Sequence, residues 1–429
     1  MTPQIKKRIE QIRRGEVPEG YKKTNVGIVP AEWEITRFKK KFDRLMRKNT
    51  EGNTNVLTIS AQFGLVNQEE FFNKSVASDD KSNYYLLHRG EYAYNKSYSN
   101  GYPFGAIKRL DKYDKGAVSP LYICFSANEG NKCPEFYLQY FEAGKLNSEI
   151  HAFAQEGARN HGLLNISVED FFNSILLEPP LPEQKKIAEI LKTQDRVIEL
   201  YEEKIEQLKK LKKVFLQKLF PKLGASVPEW RFPEFTAPWE QRKLIEICEQ
   251  VKDTVDPQLT PDKTFYEYSM PAFDDNSEPN IVSGYEMNSI RKVINVPCLL
   301  INKLNVRKRR IWLVEKPENN AVCSAEFVPV TSDISNLRFL KYVALKDDFS
   351  TYLEDCSSGS SNSQKRVTPD VIMKATIQIP TIDEQSNIGT FFTNIDSLIT
   401  LHQRKCDEEE QKKKALMQLL LAGIVRVKT

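Results

Sequence analysis

The chain has 429 residues but only four histidines and seven cysteines, and neither set is patterned. His88, His151, His161 and His402 are too dispersed to nominate a metal cluster or a catalytic triad. Cys124, Cys133, Cys248, Cys298, Cys323, Cys356 and Cys406 stand singly, without a C-x-x-C pair. That argues against a zinc site and a disulfide frame, and for reduced thiols in a cytoplasm. No G-x-x-x-x-G-K-[ST] loop is present to cradle nucleotide phosphates, and no G-x-G-x-x-G turn. Glu178, Pro179, Pro180 and Leu181 lack the amide and the ring of an Asn-Pro-Pro-Tyr methyltransferase motif. Pro369 and Asp370 are not followed by the Glu-x-Lys of a nuclease strand. No run approaches the ~20 apolar residues of a membrane span, and the first residues carry no signal-peptide core. The expectation is a cytoplasmic, catalytically silent chain with no metal and no cofactor of its own.

What is there is a repeat. About forty residues occur twice, 201 positions apart and without a gap. Glu183 and Gln184 fall on Glu384 and Gln385, Asp195 on Asp396, and Lys212 on Lys413. The approach matches too, from Ser167 and from Thr368, through an apolar run ending in proline. A period this long is no solenoid unit; it means two whole modules, each a globular domain followed by a helix. Ile187, Leu191, Gln194, Ile198, Tyr201, Ile205, Leu208, Lys212, Phe215 and Leu219 alternate steps of four and three. Ile388, Phe392, Ile395, Ile399, His402, Cys406, Glu409, Lys413, Leu416 and Leu420 repeat that spacing. Such a 3.5-residue period is a coiled-coil seam, and 33 residues of it would span roughly 50 Å. Residues 402–414 hold nine charged side chains, so neither helix suits solitude. The expected partner of each is the other copy, antiparallel.

The fold expected is α+β (mixed α/β): two β-rich globular domains, each followed by one long helix. A basic arm takes residues 1–23, the first domain 24–178 and the first helical segment 179–222. The second domain takes 223–380 and the second helical segment 381–429. Each domain opens on a proline–tryptophan turn, Pro30 to Trp33 in the first, and Pro228 with Trp230 then Pro238 with Trp239 in the second. Proline-rich residues 221–238 cannot continue a helix and mark the boundary. Short β-rich runs (56–60, 121–125, 296–302, 310–314) alternate with helical patterns at 135–146 and 338–345, pointing to a β-dominated core.

Net charge is only +4, but it is unevenly spread. Residues 303–310 pack five cations into eight positions. The lysines of 204–222 lie along the helix, where a solvated face explains them. Two loop types have the chemistry to read DNA. The first follows a strand and supplies Lys96, Tyr98 and Asn100 in one domain, and Asn302, Lys303, Asn305, Arg307, Lys308 and Arg309 in the other. The second precedes each repeated segment, with Arg159, Asn160 and His161, and with Ser360, Asn362, Gln364, Lys365 and Arg366. Small residues admit a phosphate, and Arg, Lys, Asn and Gln carry donors that suit guanine and adenine edges. An unliganded polar loop has the same composition, and Arg309 or Arg310 folded back on Glu315 is the bland alternative.

Two divergent domains, each opening on a proline–tryptophan turn and each followed by a Pro-x-x-(Glu)-Gln-x-x-Ile helix, resemble the specificity subunit of a Type I restriction-modification enzyme. The resemblance covers nearly the whole chain and includes Arg231, Phe232, Pro233, Glu234 and Phe235 of the linker. The second copy departs at Ile379, Pro380, Thr381 and Ile382, where the family has a fuller Leu-Pro-Pro form. The resemblance implies two target recognition domains reading a bipartite, asymmetric sequence in double-stranded DNA. It implies two methyltransferase subunits and two restriction-motor subunits as partners, with S-adenosylmethionine, ATP and Mg on those partners. The docking and spacer residues it implies are Glu183, Gln184, Ile187, Leu191, Ile198, Ile205 and Leu208, with Glu384, Gln385, Ile388, Phe392, Ile395 and Ile399. A two-domain protein–protein adaptor that reads no DNA is the competing class.

Overall fold

The computed structural model describes residues 2–60, 63–72, 81–98, 102–156, 164–359 and 364–427. The repeated segments are helices Leu181–Lys218 and Ile382–Leu420, 38 and 39 residues long. Among the described residues no helix is long and apolar enough to cross a membrane. The chain divides into two compact units, residues 1–200 with 406–429, and residues 201–405. The division runs through both long helices, so each unit owns the start of one and the end of the other.

Both units are built on a four-stranded antiparallel sheet of one topology. In the first, β1 (Phe42–Leu45), β2 (Tyr92–Asn95), β3 (Ala106–Arg109) and β4 (Ile123–Ala127) lie in the order β1-β4-β2-β3. In the second, β5 (Glu249–Gln250), β6 (Cys298–Asn302), β7 (Ile311–Val314) and β8 (Phe327–Thr331) lie in the order β5-β8-β6-β7. The outer framing also repeats. Strand Glu34–Arg37 pairs with Ile175–Glu178, Glu34 opposite Glu178. Strand Glu240–Lys243 pairs with Thr376–Ile379, Glu240 opposite Ile379. The short helices before those last strands are capped alike, Ser167 accepting from Asp170 N and Thr368 from Val371 N.

The same frame is filled with different side chains. The first core is aromatic, with Trp33, Phe38, Phe42, Tyr92, Phe125 and Phe171 buried together. Tyr92 and Phe125 stack at 5.1 Å between ring centroids. The second is largely aliphatic around its sheet, from Leu299, Ile301, Val328 and Val330 to Ile372. Burial is kept while side-chain identity changes, as cores tolerate when the interior stays filled and apolar.

The helices pair antiparallel, and each unit contains its own stretch of the pairing. In the first unit, Gln194 Nε2 donates to the Glu409 carbonyl (3.3 Å), and Lys413 forms an ion pair with Asp195. In the second, Lys212 Nζ lies 2.5 Å from Asp396 Oδ1, and the Phe215 and Phe391 rings meet edge-on at 4.8 Å. Asp195 with Lys413 and Asp396 with Lys212 are the same pair of repeat positions, used reciprocally.

At the root of each helix lies a buried carboxylate. Glu183 accepts from the Trp33 indole (3.0 Å) and from Arg426 (2.7 and 2.8 Å). Glu384 accepts from the Trp239 indole (3.4 Å) and from Arg231 (2.8 and 2.7 Å). The neighbouring glutamines close back on the preceding turn, Gln184 Nε2 to Pro179 O (2.8 Å) and Gln385 Nε2 to Pro380 O (2.9 Å). Of the two tryptophans that open the second domain, Trp239 is the one that plays the part of Trp33, while Trp230 is 45% exposed. The arm at the N-terminus is tied down: Arg8 donates to Ile424 O and the Tyr21 hydroxyl to Gly423 O, both at 2.6 Å. Gly423 has φ +67°, and a Cβ there would lie 2.5 Å from Pro30, so only glycine lets the tail approach.

Burial alone would raise the Asp396 carboxyl, but the Lys212 ammonium, joined by Lys341 and the Tyr342 hydroxyl, holds it below the usual carboxylate value. A carboxyl depressed on folding adds stability that is present above its unfolded value, near pH ~4, and is lost as pH falls through its folded value. Asp396→Asn is therefore expected to cost about 1.5–3 kcal/mol at neutral pH. In denaturant melts the difference from the unaltered chain should shrink below pH ~4. A difference independent of pH would assign the loss to packing.

Candidate nucleic-acid interface

In the second unit the two loops singled out by composition form one surface. Residues 302–310 connect β6 to β7 through a single turn, Val306–Lys308. Asn305 and Arg309 flank that turn in left-handed conformation, φ +52° and +47°, and Val306 plugs it into the core. Asn302 is 1% exposed, and its side-chain amide donates to the carbonyls of Leu304 (2.9 Å) and Asn305 (3.3 Å). The Gly/Ser loop closes on itself through Ser358 and Arg366, whose amides and carbonyls exchange bonds of 2.9 and 2.8 Å. Gly359 permits this, because a Cβ there would lie 2.8 Å from Gln364 O. The two loops are then stitched together: Asn305 N donates to Lys365 O (2.9 Å), Val367 N to Lys303 O (3.0 Å), and Lys303 N to Glu326 O (2.9 Å).

Five cations of this surface are each engaged with an acid. Arg310 is buried and grips Asp274 with two bonds of 2.7 and 2.6 Å, and it holds that carboxyl below its ordinary value. Lys308 lies 3.7 Å from the same aspartate. Arg309 pairs with Asp347 at 2.7 Å and donates to Leu345 O. Arg307 stands 3.5 Å from Glu354, and Arg366 donates to Glu326 at 2.6 Å. The fold-back of Arg309 or Arg310 onto Glu315 does not occur, since Glu315 pairs with Arg338. None of these acids stands beside its cation in sequence, and that is why the pairs were not legible there.

The residues named from sequence therefore separate. Arg307, Lys308 and Arg366 are exposed, Gln364 is exposed, and Lys303, Asn305, Arg309 and Lys365 are half-buried. Asn302, expected to face DNA, is buried and braces the loop from within. Ser360 and Asn362 lie outside the described residues. In the first unit the Lys96 carbonyl after β2 accepts from Leu164 N (3.0 Å). Lys96 is half-buried and Tyr98 is 61% exposed. Asn100, Arg159, Asn160 and His161 lie outside the described residues.

The helix residues expected to serve in docking and as spacer face inward. Glu183, Gln184, Ile187, Leu191, Ile205 and Leu208, and likewise Glu384, Gln385, Ile388, Phe392 and Ile395, are buried; Ile198 and Ile399 are half-buried. They hold helix to domain and helix to helix. The seam period marks what a helix packs against, and here that is its own chain.

Residues 34–210 match the family model described as Type I restriction modification DNA specificity domain. The chain is 27% identical over 300 residues to the Type I restriction enzyme MjaVIII specificity subunit of Methanocaldococcus jannaschii, covering 65% of this chain and 68% of that one. It is 23% identical over 438 residues to the putative MjaX specificity subunit of the same organism, covering 96% and 98%. Among solved structures it resembles a chain from a study of complex assembly and conformational transition of the type I R-M system, with TM-score 0.54 and 15% identity over 92% of this chain and 99% of that one. It also resembles a Type-I restriction-modification S subunit from M. genitalium, with TM-score 0.50 and 14% identity over 92% and 97%.

The sorting of loop residues has a direct consequence for stability. Asn302→Ala leaves the half-buried Leu304 and Asn305 carbonyls without this donor and is expected to cost about 1–3 kcal/mol. Arg307→Ala breaks only a long, exposed pair and should stay within about 0.5 kcal/mol. Thermal unfolding of the two variants checks this, and equal losses would show that the loop is not braced by Asn302.

Proposed function

We propose that this chain, a member of the Type I restriction-modification specificity-subunit family, reads a bipartite asymmetric DNA sequence, one half per unit, and performs no chemistry itself. The observation that carries the reading is the duplicated frame. Two cores of different composition sit in one frame, and in the second unit the strand-following loop is bonded to a second polar loop. A repeated frame filled and edged with different residues suits two readers of two different half-sites.

In this reading the exposed cations supply affinity through phosphates, and the loop amides and guanidinium groups supply discrimination at base edges. Two methyltransferase subunits and two restriction-motor subunits join the chain, and S-adenosylmethionine, ATP and Mg belong to them. The assembly works in the cytoplasm. The long helices set the unread spacer, because two readers on one face of B-DNA suit a separation near one helical turn, ~34 Å or 10 bp. The adaptor reading is separated by salt: DNA reading gives a steep negative slope of log affinity against log salt with a sequence-dependent remainder, and an adaptor gives neither.

Exchanging residues 24–178 for the same domain of a relative is expected to change one half of the methylated motif. The other half and the spacing should persist, as read by methylome sequencing of cells carrying the hybrid system. A change in both halves would contradict independent reading.

A further inference from the structure

One cation on the two-loop surface is held differently from the rest. Arg366 is fixed by its backbone on both sides, bridged to Ser358 on one and to Leu304 on the other. Its side chain is nevertheless 56% exposed, against 8% for Arg310 and 35% for Arg309. One terminal nitrogen donates to Glu326 Oε1 at 2.6 Å. Glu326 is rooted next to β8, where Phe327 pairs with Asn302, and its carbonyl accepts from Lys303 N, so it ties the strand to both loops. The other carboxylate oxygen, Oε2, is buried without a hydrogen-bond partner among the described residues. The directed bond of this side chain is therefore the one to Arg366.

This arrangement suits a base better than a phosphate. A phosphate contact is won by net charge, and an arginine sharing its charge with a carboxylate at 2.6 Å offers little of that. A guanine contact is won by direction: two parallel donors must meet O6 and N7. A guanidinium has five N–H donors in a fixed fork. Anchoring one nitrogen leaves donors free and removes rotamer freedom that binding would otherwise have to remove. Arg307 makes the contrast, at 3.5 Å from the half-buried Glu354, a geometry that leaves it free to follow a phosphate.

We infer that Glu326 is a positioning residue that orients Arg366 to read a guanine in the half-site taken by the second unit. The inference rests on the DNA-reading function proposed above. It is tested by selecting a randomised duplex library with the full-length chain and sequencing the bound fraction. Arg366→Ala is expected to lose roughly 5- to 150-fold of discrimination at one guanine and to leave the other positions unchanged. Arg366→Lys should keep the salt dependence yet lose the same discrimination. Glu326→Gln should relax that one base pair by a smaller factor, and the double variant Glu326→Gln with Arg366→Ala should be no worse than Arg366→Ala alone.

A merely structural Glu326 would lower the unfolding temperature and weaken all sequences alike, which overturns the inference. So does an Arg366→Ala variant that keeps the motif while its salt slope falls by about one unit, the behaviour of a phosphate contact. If the unaltered chain enriches no sequence, the DNA-reading function itself fails and the inference with it. If the unaltered chain enriches a motif that both variants keep, this inference alone fails.

Discussion

A carboxylate that water scarcely reaches begins each long helix, and each domain is arranged around the demand that it be paired. Glu183 and Glu384 are 2% and 0% exposed, and an unpaired buried charge would be too costly for either fold to bear. Each is met by an indole from the turn that opens its domain and by a guanidinium from beyond the end of the opposite helix. Arg231 follows the first helix and reaches the start of the second. Arg426 follows the second and reaches the start of the first. Antiparallel pairing is what brings helix ends to helix starts, so the clamp and the pairing require one another.

With that joint fixed, the rest of each domain is free to vary. The frame needs strand order, the outer pair that returns the chain to the helix, and a filled interior, but not a particular interior. An aromatic core serves one unit and a largely aliphatic one the other. The loops on the sheet are freer still. In the second unit their cations are balanced by Asp274, Glu326, Asp347 and Glu354, which orients some arginines and retires others from the surface. Arg310, buried on Asp274, braces the loop; Arg307 and Arg366 remain exposed.

The repeat, the helices, their antiparallel partnership and the mixed α+β class were legible because they rest on periodicity and on a gapless match. The twin four-stranded sheets were not, since most strands are four or five residues long and share no sequence signal across the units. The roles of Glu183 and Glu384 were hidden for another reason. Their partners lie far away in the chain, Arg426 at 243 positions and Arg231 at 153, and a hydrophobic pattern carries no record of such pairs. Asn302 was read as a donor to DNA because its type fits that task. Burial next to two carbonyls of its own turn gave it a different one.

Calorimetry of the full chain with Glu183→Gln and Glu384→Gln tests the central claim that one buried carboxylate locks each helix into its unit. Each change leaves the shape of the side chain but removes the charge opposite Arg426 or Arg231. Glu384→Gln is expected to destabilise the second unit, and Glu183→Gln the first, each by about 3–5 kcal/mol. Unfolding that stays within about 0.5 kcal/mol of the unaltered chain in both variants would be ordinary surface behaviour and would contradict the account.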